Sequence, residues 1–170
     1  RGVVLDPSVP SYHGFLLEQL QRKLDMLPHF QGVVIDRSDW MGVYDLSGDD
    51  GVSWVQGAPA KSMKGAFMNI TGALRERLLA SGHTDALMLL NTLGYSMLSA
   101  MGPFDGTFSE GSAVNAVGLL GLRSPSILWT YDSNAWRGDF DRWARRHVYM
   151  GVYPMAPFPG NDHCIKPGGY

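Results

Sequence analysis

Cysteine is almost absent from this chain of 170 residues, which has Cys164 alone. A single cysteine excludes an internal disulfide and a zinc site built on cysteines. The sequence also has no apolar run close to the roughly 20 residues that a membrane-spanning helix needs. The formal net charge is only −2, so no excess of positive charge favours nucleic acid or an anionic membrane as a partner.

The motifs that mark several enzyme classes are missing too. No predicted strand leads into G-x-G-x-x-G or G-x-x-x-x-G-K-[ST], which excludes the usual nucleotide-binding loops. No G-x-S-x-G elbow supports nucleophilic catalysis by serine. The sequence therefore predicts no cofactor. Hydrophobic residues make up 45% of the chain and charged residues 18%, which is typical of a globular domain with a substantial core.

What is present is an alternation of apolar strands and helices. Residues 10–27 carry apolar side chains at helical spacing, and the other predicted helices are 61–80, 112–121 and 140–147. Short apolar runs predict strands centred near residues 4, 34, 88, 107, 128 and 151. The glycine-rich stretch 40–59 predicts a long loop. This alternation is typical of a parallel β-sheet covered by helices, in a single α/β domain over residues 1–170.

Two architectures fit such a pattern: a doubly wound open sheet, and part of a (β/α)8 barrel. A complete barrel typically needs about 250 residues. We favour a partial or complete (β/α)8 (TIM) barrel, of which this chain would be the C-terminal portion. The chain opens inside a predicted strand at residues 2–5, and the nucleotide-binding glycine motifs are absent. We expect further N-terminal sequence or a partner chain to complete the barrel.

Strands that end in charged residues carry the candidate chemistry. The β-branched run 33–35 stops at Asp36, and Glu110 follows another apolar run in the same way. Carboxyl ends of parallel strands meet at one edge of a sheet, where α/β folds build their active sites. Two carboxylates at one cleft can hydrolyse a glycosidic bond, one as nucleophile or base and the other as general acid. Alternatively, both are ordinary strand-end acids that cap helices or pair with Arg37.

Polar and aromatic side chains accompany these carboxylates at the predicted strand exits. Aromatic planes stack on the C–H faces of sugar rings, so an aromatic-rich rim suits a carbohydrate. The predicted substrate-binding residues are Arg37, Asp39, Trp40, Trp54, Asn91, Trp129, Tyr131, Asp162 and His163. For each aromatic residue the alternative is packing within the fold, and Arg37 either supports Asp36 or pairs with Asp39. No spacing matches a metal motif, although a metal-dependent hydrolase using Asp, His and Asn side chains stays open as a third reading.

One modification signal is present. Asn69, Ile70 and Thr71 match the acceptor pattern for N-glycosylation, a triplet that also arises by chance. A used site would make this a glycoprotein of an extracellular or lumenal compartment.

Several segments resemble a known kind of barrel. The succession DPSVPSYHGFLLEQ, GVVIDRSDW, DDGVSWVQGAPAKS, FDGTFSE and YMGVYPMAPFPGNDH is similar to the later strands of glycoside-hydrolase-type (β/α)8 barrels, closest to a poorly characterised group. In related retaining α-glycosidases an Asp ending strand four is the nucleophile, and the acid/base ends strand six. The resemblance implies Asp36 as nucleophile and Glu110 as acid/base. Those enzymes commonly use Asp as acid/base, which is a departure here.

The sequence therefore predicts a glycoside hydrolase-like domain that cleaves a glycosidic bond with Asp36 and Glu110. Its expected partner is a carbohydrate substrate or ligand. The alternative is a non-catalytic carbohydrate-binding or structural protein that keeps a glycosidase-like barrel, because a fold does not fix a function.

Overall fold

The computed structural model describes residues 4–27, 29–36, 42–91, 99–109, 127–130 and 139–154. Within these residues the chain forms three α-helices and eight β-strands. The helices are α1 (Pro10–Met26), α2 (Met63–Ala80) and α3 (Phe140–Met150). The strands are β1 (Gly32–Ile35), β2 (Tyr44–Asp45), β3 (Ser53–Val55), β4 (Ala58–Ser62), β5 (Leu87–Asn91), β6 (Gly106–Ser109), β7 (Ile127–Thr130) and β8 (Tyr153–Pro154).

The helices begin and end at residues suited to those positions. Pro10 opens α1, where its missing N–H has no intrahelical partner to lose. The Ser62 hydroxyl accepts a hydrogen bond from the Lys64 N–H and caps α2, and the Asp139 carboxylate caps α3 by accepting from the Arg142 N–H. Gly151 follows α3 in the left-handed conformation that glycine adopts at low cost. The predicted helices 10–27, 61–80 and 140–147 are thus confirmed to within three residues at each end.

Five strands form a parallel sheet in the order β1-β5-β6-β7-β8, which is their order along the chain. Strands β2 to β4 belong to another sheet. Within the parallel sheet, each strand pairs with the strand that precedes it in the sequence. The prediction of an α/β fold with a parallel sheet is confirmed. Among the described residues β1 and β8 are the two edges of the sheet, and the sheet does not close into a barrel.

The predicted loop 40–59 is wrong in part, because it contains a small antiparallel sheet of order β2-β4-β3. The hairpin between β3 and β4 turns at Gln56 and Gly57, both with positive φ. Asp50 holds this sheet together. Its carboxylate accepts hydrogen bonds from the N–H groups of Val52, Ser53 and Ser62 and from the Ser53 hydroxyl.

The main core lies between the parallel sheet and helices α1 and α2. Its buried members are Leu20, Leu24, Phe67, Leu78, Ala86, Met88, Leu90, Ala100, Met101 and Phe104. Burying one large apolar side chain stabilises a fold by about 1.5–3 kcal/mol. These contacts fix β1 and β5 against the helices, and so they fix the ends of both strands.

The two faces of the sheet differ. Met88 and Leu90 point into the helical core, and Val33 and Ile35 pack against it. Side chains alternate along a strand, so Val34 belongs to the opposite face. Its side chain is 50% exposed. Val34 is therefore half exposed on the side of β1 that faces away from the helical core.

Other expectations concern the ends of the described ranges. Val4 and Leu5 do not form the predicted strand, and residues 1–3 lie outside the described residues, as do the predicted helix 112–121 and the tail from residue 155. The predicted strand near residue 151 lies slightly later, at β8. None of the described helices has the length and apolarity that crossing a membrane requires.

Candidate functional site

A carboxylate and a buried amide meet at the carboxyl end of β1 and β5. The Asn91 side chain donates a hydrogen bond from Nδ2 to Oδ1 of Asp36, over 2.7 Å. Asn91 is only 1% exposed, whereas Asp36 is exposed. A hydrogen bond to an ionised group from a buried side chain is among the stronger ones in proteins. The Asn91 amide therefore fixes the orientation of the Asp36 carboxylate at the rim of the sheet.

The pairing of the two strands explains why these residues meet. β1 and β5 are parallel, and Ile35 is aligned with Leu90, so Asp36 and Asn91 follow at the same level. Gly32 makes this alignment attainable at the other end of β1. A Cβ at Gly32 would lie 2.2 Å from the Leu87 carbonyl oxygen, closer than any side chain tolerates. Glycine therefore allows the close approach of β1 to β5 that sets the level of Asp36.

The second oxygen of Asp36 is available. The structure gives Oδ2 no hydrogen-bond partner within the described ranges, since Asn91 engages Oδ1 alone. Asp36 also lines a cleft of about 390 Å³ beside the strand end. The cleft runs between α1, α2 and the segment that precedes α1, and apolar side chains form most of its wall. An exposed carboxylate with one fixed and one free oxygen can bind a donor, accept a proton or attack an electrophile.

An ion pair lies at the opposite end of the same sheet. The Arg75 guanidinium donates from both terminal nitrogens to the two oxygens of Asp105, each over 2.8 Å. Asp105 Oδ2 also accepts from the Met88 N–H, and Arg75 donates to the Ala86 carbonyl. The Arg75 contacts join α2 to the amino ends of β5 and β6, and the Met88 contact joins those two strand ends to each other. This pair is a structural connection, which agrees with the position of Asp105 at the far end of its strand.

A third polar cluster joins the start of α1 to the small sheet. Lys61 Nζ lies 2.6 Å from Asp6 Oδ2, and it also donates to the Ser8 hydroxyl. Partial burial opposes ionisation of Asp6, but the hydrogen bonds from Lys61 and Ser8 outweigh it and hold the pKa of this carboxyl below its ordinary value. The cluster anchors β4 to the segment before α1. Nothing in the sequence signalled it, because Asp6 and Lys61 are far apart along the chain.

The structure brings together two of the predicted site residues, Asp36 and Asn91. Asn91 donates from Nδ2 to Asp36, and its predicted contact with a sugar stays a prediction. Trp54 lies apart from this pair in β3, within the antiparallel sheet, and its side chain is 67% exposed. Trp129 lies in β7, where its Cα is aligned with those of Phe108 and Tyr153.

The remaining predicted residues lie outside the described ranges: Arg37, Asp39, Trp40, Glu110, Tyr131, Asp162 and His163. Ser109, which precedes Glu110 in the sequence, ends β6 at the same edge of the sheet as Ile35 in β1. The separation of the Asp36 and Glu110 carboxylates therefore stays a prediction.

Two further expectations concern metals and sugars on the protein. In the described part of the chain, no group of three or more His, Cys, Asp or Glu side chains could hold a metal ion.

The N-glycosylation triplet lies inside α2, with Asn69 exposed. The hydroxyl of Thr71 is buried and donates to the carbonyl oxygen of Phe67. In the folded protein this threonine is not accessible, so glycosylation at Asn69 has no support here.

Comparison with protein-family models, with curated proteins and with solved structures finds no match for this chain. Functional inference therefore depends on the geometry of Asp36, Asn91 and the adjoining cleft.

Proposed function

We propose that this chain is a glycoside hydrolase-like domain in which Asp36 is a catalytic carboxylate. The observation that carries the proposal is the hydrogen bond from the buried Asn91 amide to Asp36 at the carboxyl end of two adjacent parallel strands. Catalytic groups need to be held within a small range of orientations, and a buried partner provides that restraint. The free oxygen of Asp36 faces no competing protein donor among the described residues.

The order of the strands supports a barrel-type architecture for this domain. In a doubly wound sheet the strand order reverses at a switch point, whereas successive strands of a (β/α)8 barrel lie side by side. The five parallel strands here follow chain order from β1 to β8 without a reversal. We propose that they are part of a (β/α)8 barrel, with Asp36 at its catalytic end.

The proposed reaction needs a second carboxyl group. Asp36 would attack the anomeric carbon as nucleophile, or activate water as base, and Glu110 would protonate the leaving oxygen as general acid. Glu110 directly follows β6, whose carboxyl end lies on the same edge as that of β1. If Asp36 is the nucleophile, the bond to the aglycone breaks as the bond from Asp36 to the sugar forms. Water then releases the sugar from Asp36.

Binding without catalysis is a second candidate, and one observation favours it. The Trp54 indole is 67% exposed on the small antiparallel sheet and makes no hydrogen bond or ring contact within the described residues. A large exposed aromatic plane is suited to stacking on a sugar ring. This surface could hold a carbohydrate even if Asp36 performed no chemistry.

Hydrolysis of a panel of chromogenic 4-nitrophenyl glycosides tests the proposal. We expect the wild-type protein to hydrolyse at least one member, and Asp36→Asn or Glu110→Gln to lower kcat by at least about 10³-fold. Asp85→Asn is the matched control, because Asp85 is an exposed carboxylate at the amino end of β5. This control should retain wild-type rates.

Equal rates in the wild type, Asp36→Asn and Glu110→Gln would refute the catalytic assignment. Retained sugar binding without hydrolysis, lost on Trp54→Ala, would instead favour the binding protein.

A further inference from the structure

The cleft beside Asp36 has the size of a small-molecule site. Its volume of about 390 Å³ lies within the range of roughly 300–1,000 Å³ usual for ligand pockets. It lies beside Ile35 and Asp36 and is walled by residues of α1, α2 and the segment before α1. Six of its wall residues define its character: Tyr12, Leu16, Asp36, Ile70, Thr71 and Leu74.

The wall of this cleft is apolar except near Asp36. Thr71 contributes a hydroxyl, but that hydroxyl donates to the Phe67 carbonyl within α2 and is already satisfied. The phenol of Tyr12 is the other polar group among the described lining residues. A strongly polar ligand would lose its hydrogen bonds to water along most of this wall without gaining others. An apolar group, aromatic or alkyl, suits the cleft.

Asp36 belongs to both parts of the site. Its Oδ1 accepts from Asn91 at the sheet rim, and the same residue forms part of the cleft wall. A molecule whose polar part contacts the Asp36 carboxylate can therefore extend an apolar part between α1 and α2.

We infer that the cleft binds an apolar group carried by the molecule on which Asp36 acts. Resting on the proposed function, this inference names the substrate class as a glycoside with an aromatic or alkyl aglycone. Each methylene that enters the cleft should tighten binding by about fourfold, because burying a methylene contributes about 0.8 kcal/mol.

Titration with 4-alkylphenols tests the cleft without any sugar. Phenol, 4-ethylphenol and 4-propylphenol would be added to protein labelled with ¹³C at its Leu and Ile methyl groups. We expect the NMR signals of Leu16, Ile70 and Leu74 to shift, with affinity rising along the series. The signal of Leu27, which is half exposed just beyond α1, should not move.

Two variants of α1 locate the binding site. Leu16→Trp places a larger side chain in the cleft and should weaken 4-propylphenol binding at least tenfold. Met26→Trp adds the same side chain at an exposed position at the end of α1, away from the cleft, and should leave binding unchanged. Wild-type signals that stay unshifted, or an affinity independent of alkyl length, would overturn the inference whether or not the variants fold.

Hydrolysis connects the cleft to the substrate. Two glycosides of the same sugar, which differ only in the aglycone, are compared. Leu16→Trp should raise KM for the 4-nitrophenyl glycoside but not for the methyl glycoside. An equal effect on both would refute an aglycone site. The phenol titration does not depend on turnover. If alkylphenols bound in the cleft but no glycoside were hydrolysed, the proposed function and the glycoside assignment would fail together, and the apolar site would stand.

Discussion

Asp36 and Asp105 flank opposite ends of one parallel sheet, and their surroundings differ sharply. Both oxygens of Asp105 accept hydrogen bonds from the Arg75 guanidinium, and Oδ2 also accepts from the Met88 N–H. Within the described residues Asp36 receives one hydrogen bond, from Asn91. The Arg75 and Asp105 side chains are each 25% exposed, so their ion pair is partly shielded from water. Both oxygens of Asp105 are therefore engaged within the fold, whereas Asp36 is oriented by Asn91 and its Oδ2 has no partner among the described residues.

This difference shows how acidic residues that flank strands can be separated into structural and functional ones. A charge at the end of a buried strand has to find partners or water, whichever end it occupies. Where a helix and a strand both supply donors, as Arg75 and Met88 do for Asp105, the carboxylate joins layers of the fold. Where a neighbouring strand supplies one donor among the described residues, as Asn91 does for Asp36, we propose that the carboxylate is held in place for chemistry or binding.

Of the substitutions that test the difference between Asp36 and Asp105, Gly32→Ala should have the largest effect. It changes the alignment of β1 with β5. A Cβ at this position would lie 2.2 Å from the Leu87 carbonyl oxygen, so β1 has to move away from β5. We expect a loss of about 3 kcal/mol in the free energy of unfolding. The Asp36–Asn91 contact should be lost while the Arg75–Asp105 pair survives. Urea unfolding and the NMR signal of the Asn91 side-chain amide would measure these effects.

Gly14→Ala is the control for that substitution. A Cβ at Gly14 meets no atom within 4 Å, and the residue lies inside α1. Replacing glycine with alanine in a helix should stabilise the protein by about 0.5–1 kcal/mol. Equal destabilisation by both substitutions would contradict the close approach of β1 to β5.

Paired isosteric substitutions at the two carboxylates should have the next largest effect. Asp105→Asn removes the charge facing Arg75 and turns an amide donor towards the guanidinium, so we expect a loss of about 2 kcal/mol at pH 7. Asp36→Asn keeps an oxygen that can accept from Asn91, so its loss should stay below about 0.5 kcal/mol. Urea unfolding of both variants measures the difference. Similar losses at the two positions would remove the distinction between a structural and a functional acid.

Much of the fold could be predicted from the sequence because the relevant signals are local. Apolar side chains at helical spacing marked α1, and the short apolar runs marked β1, β5, β6 and β7. The small antiparallel sheet escaped because its strands have two to five residues and lie among glycines. It depends on Asp50 accepting hydrogen bonds from Ser53 and Ser62, a clustering of partners that no apolar pattern predicts.

The candidate site was only partly predictable. Asp36 was identified from the abrupt end of a β-branched run, and Asn91 from the end of the next strand. Their contact could not be deduced, because it requires the strand alignment of Ile35 with Leu90. The cleft could not be predicted either, because its wall combines residues from α1, α2 and β1.

Asn91→Leu should produce a smaller loss of stability, with a specific effect on the rim. The substitution removes the only hydrogen bond to Asp36 within the described residues, and we expect a cost of about 1 kcal/mol. If Asn91 positions the carboxylate, kcat should fall at least about tenfold, since a hydrogen bond to a charged group contributes about 1.5–3 kcal/mol. KM should change little. Steady-state kinetics and urea unfolding on one preparation separate the two effects.

Thr107→Val is the matched control for Asn91→Leu. Thr107 is fully buried in β6, at the level of Leu90, and its hydroxyl has no hydrogen-bond partner among the residues that the structure describes. Removing an unsatisfied hydroxyl should be neutral or stabilising. A fall in kcat as large as that of Asn91→Leu would mean that any change in the buried polar groups of the sheet perturbs the rim.

The smallest expected effect concerns Asp50, a third carboxylate, which is as fully engaged as Asp105 but exposed to solvent. The N–H of Ser62 and the hydroxyl and N–H of Ser53 lower the pKa of Asp50 well below its ordinary value of 3.8. A lowered pKa in the folded state means that the stabilisation is complete above pH 3.8 and is lost as the pH falls further. Amide exchange at Ser53 and Ser62, corrected for intrinsic rates, should therefore quicken in acid. Asp50→Asn should abolish this acid dependence. Asp49→Asn should preserve it, because the Asp49 carboxylate accepts from the Gly51 N–H alone within the described part of the chain. An acid dependence that survived Asp50→Asn would show that hydrogen bonding to this carboxylate does not hold the small sheet. The number of hydrogen bonds that a carboxylate accepts would then no longer distinguish structural acids from Asp36.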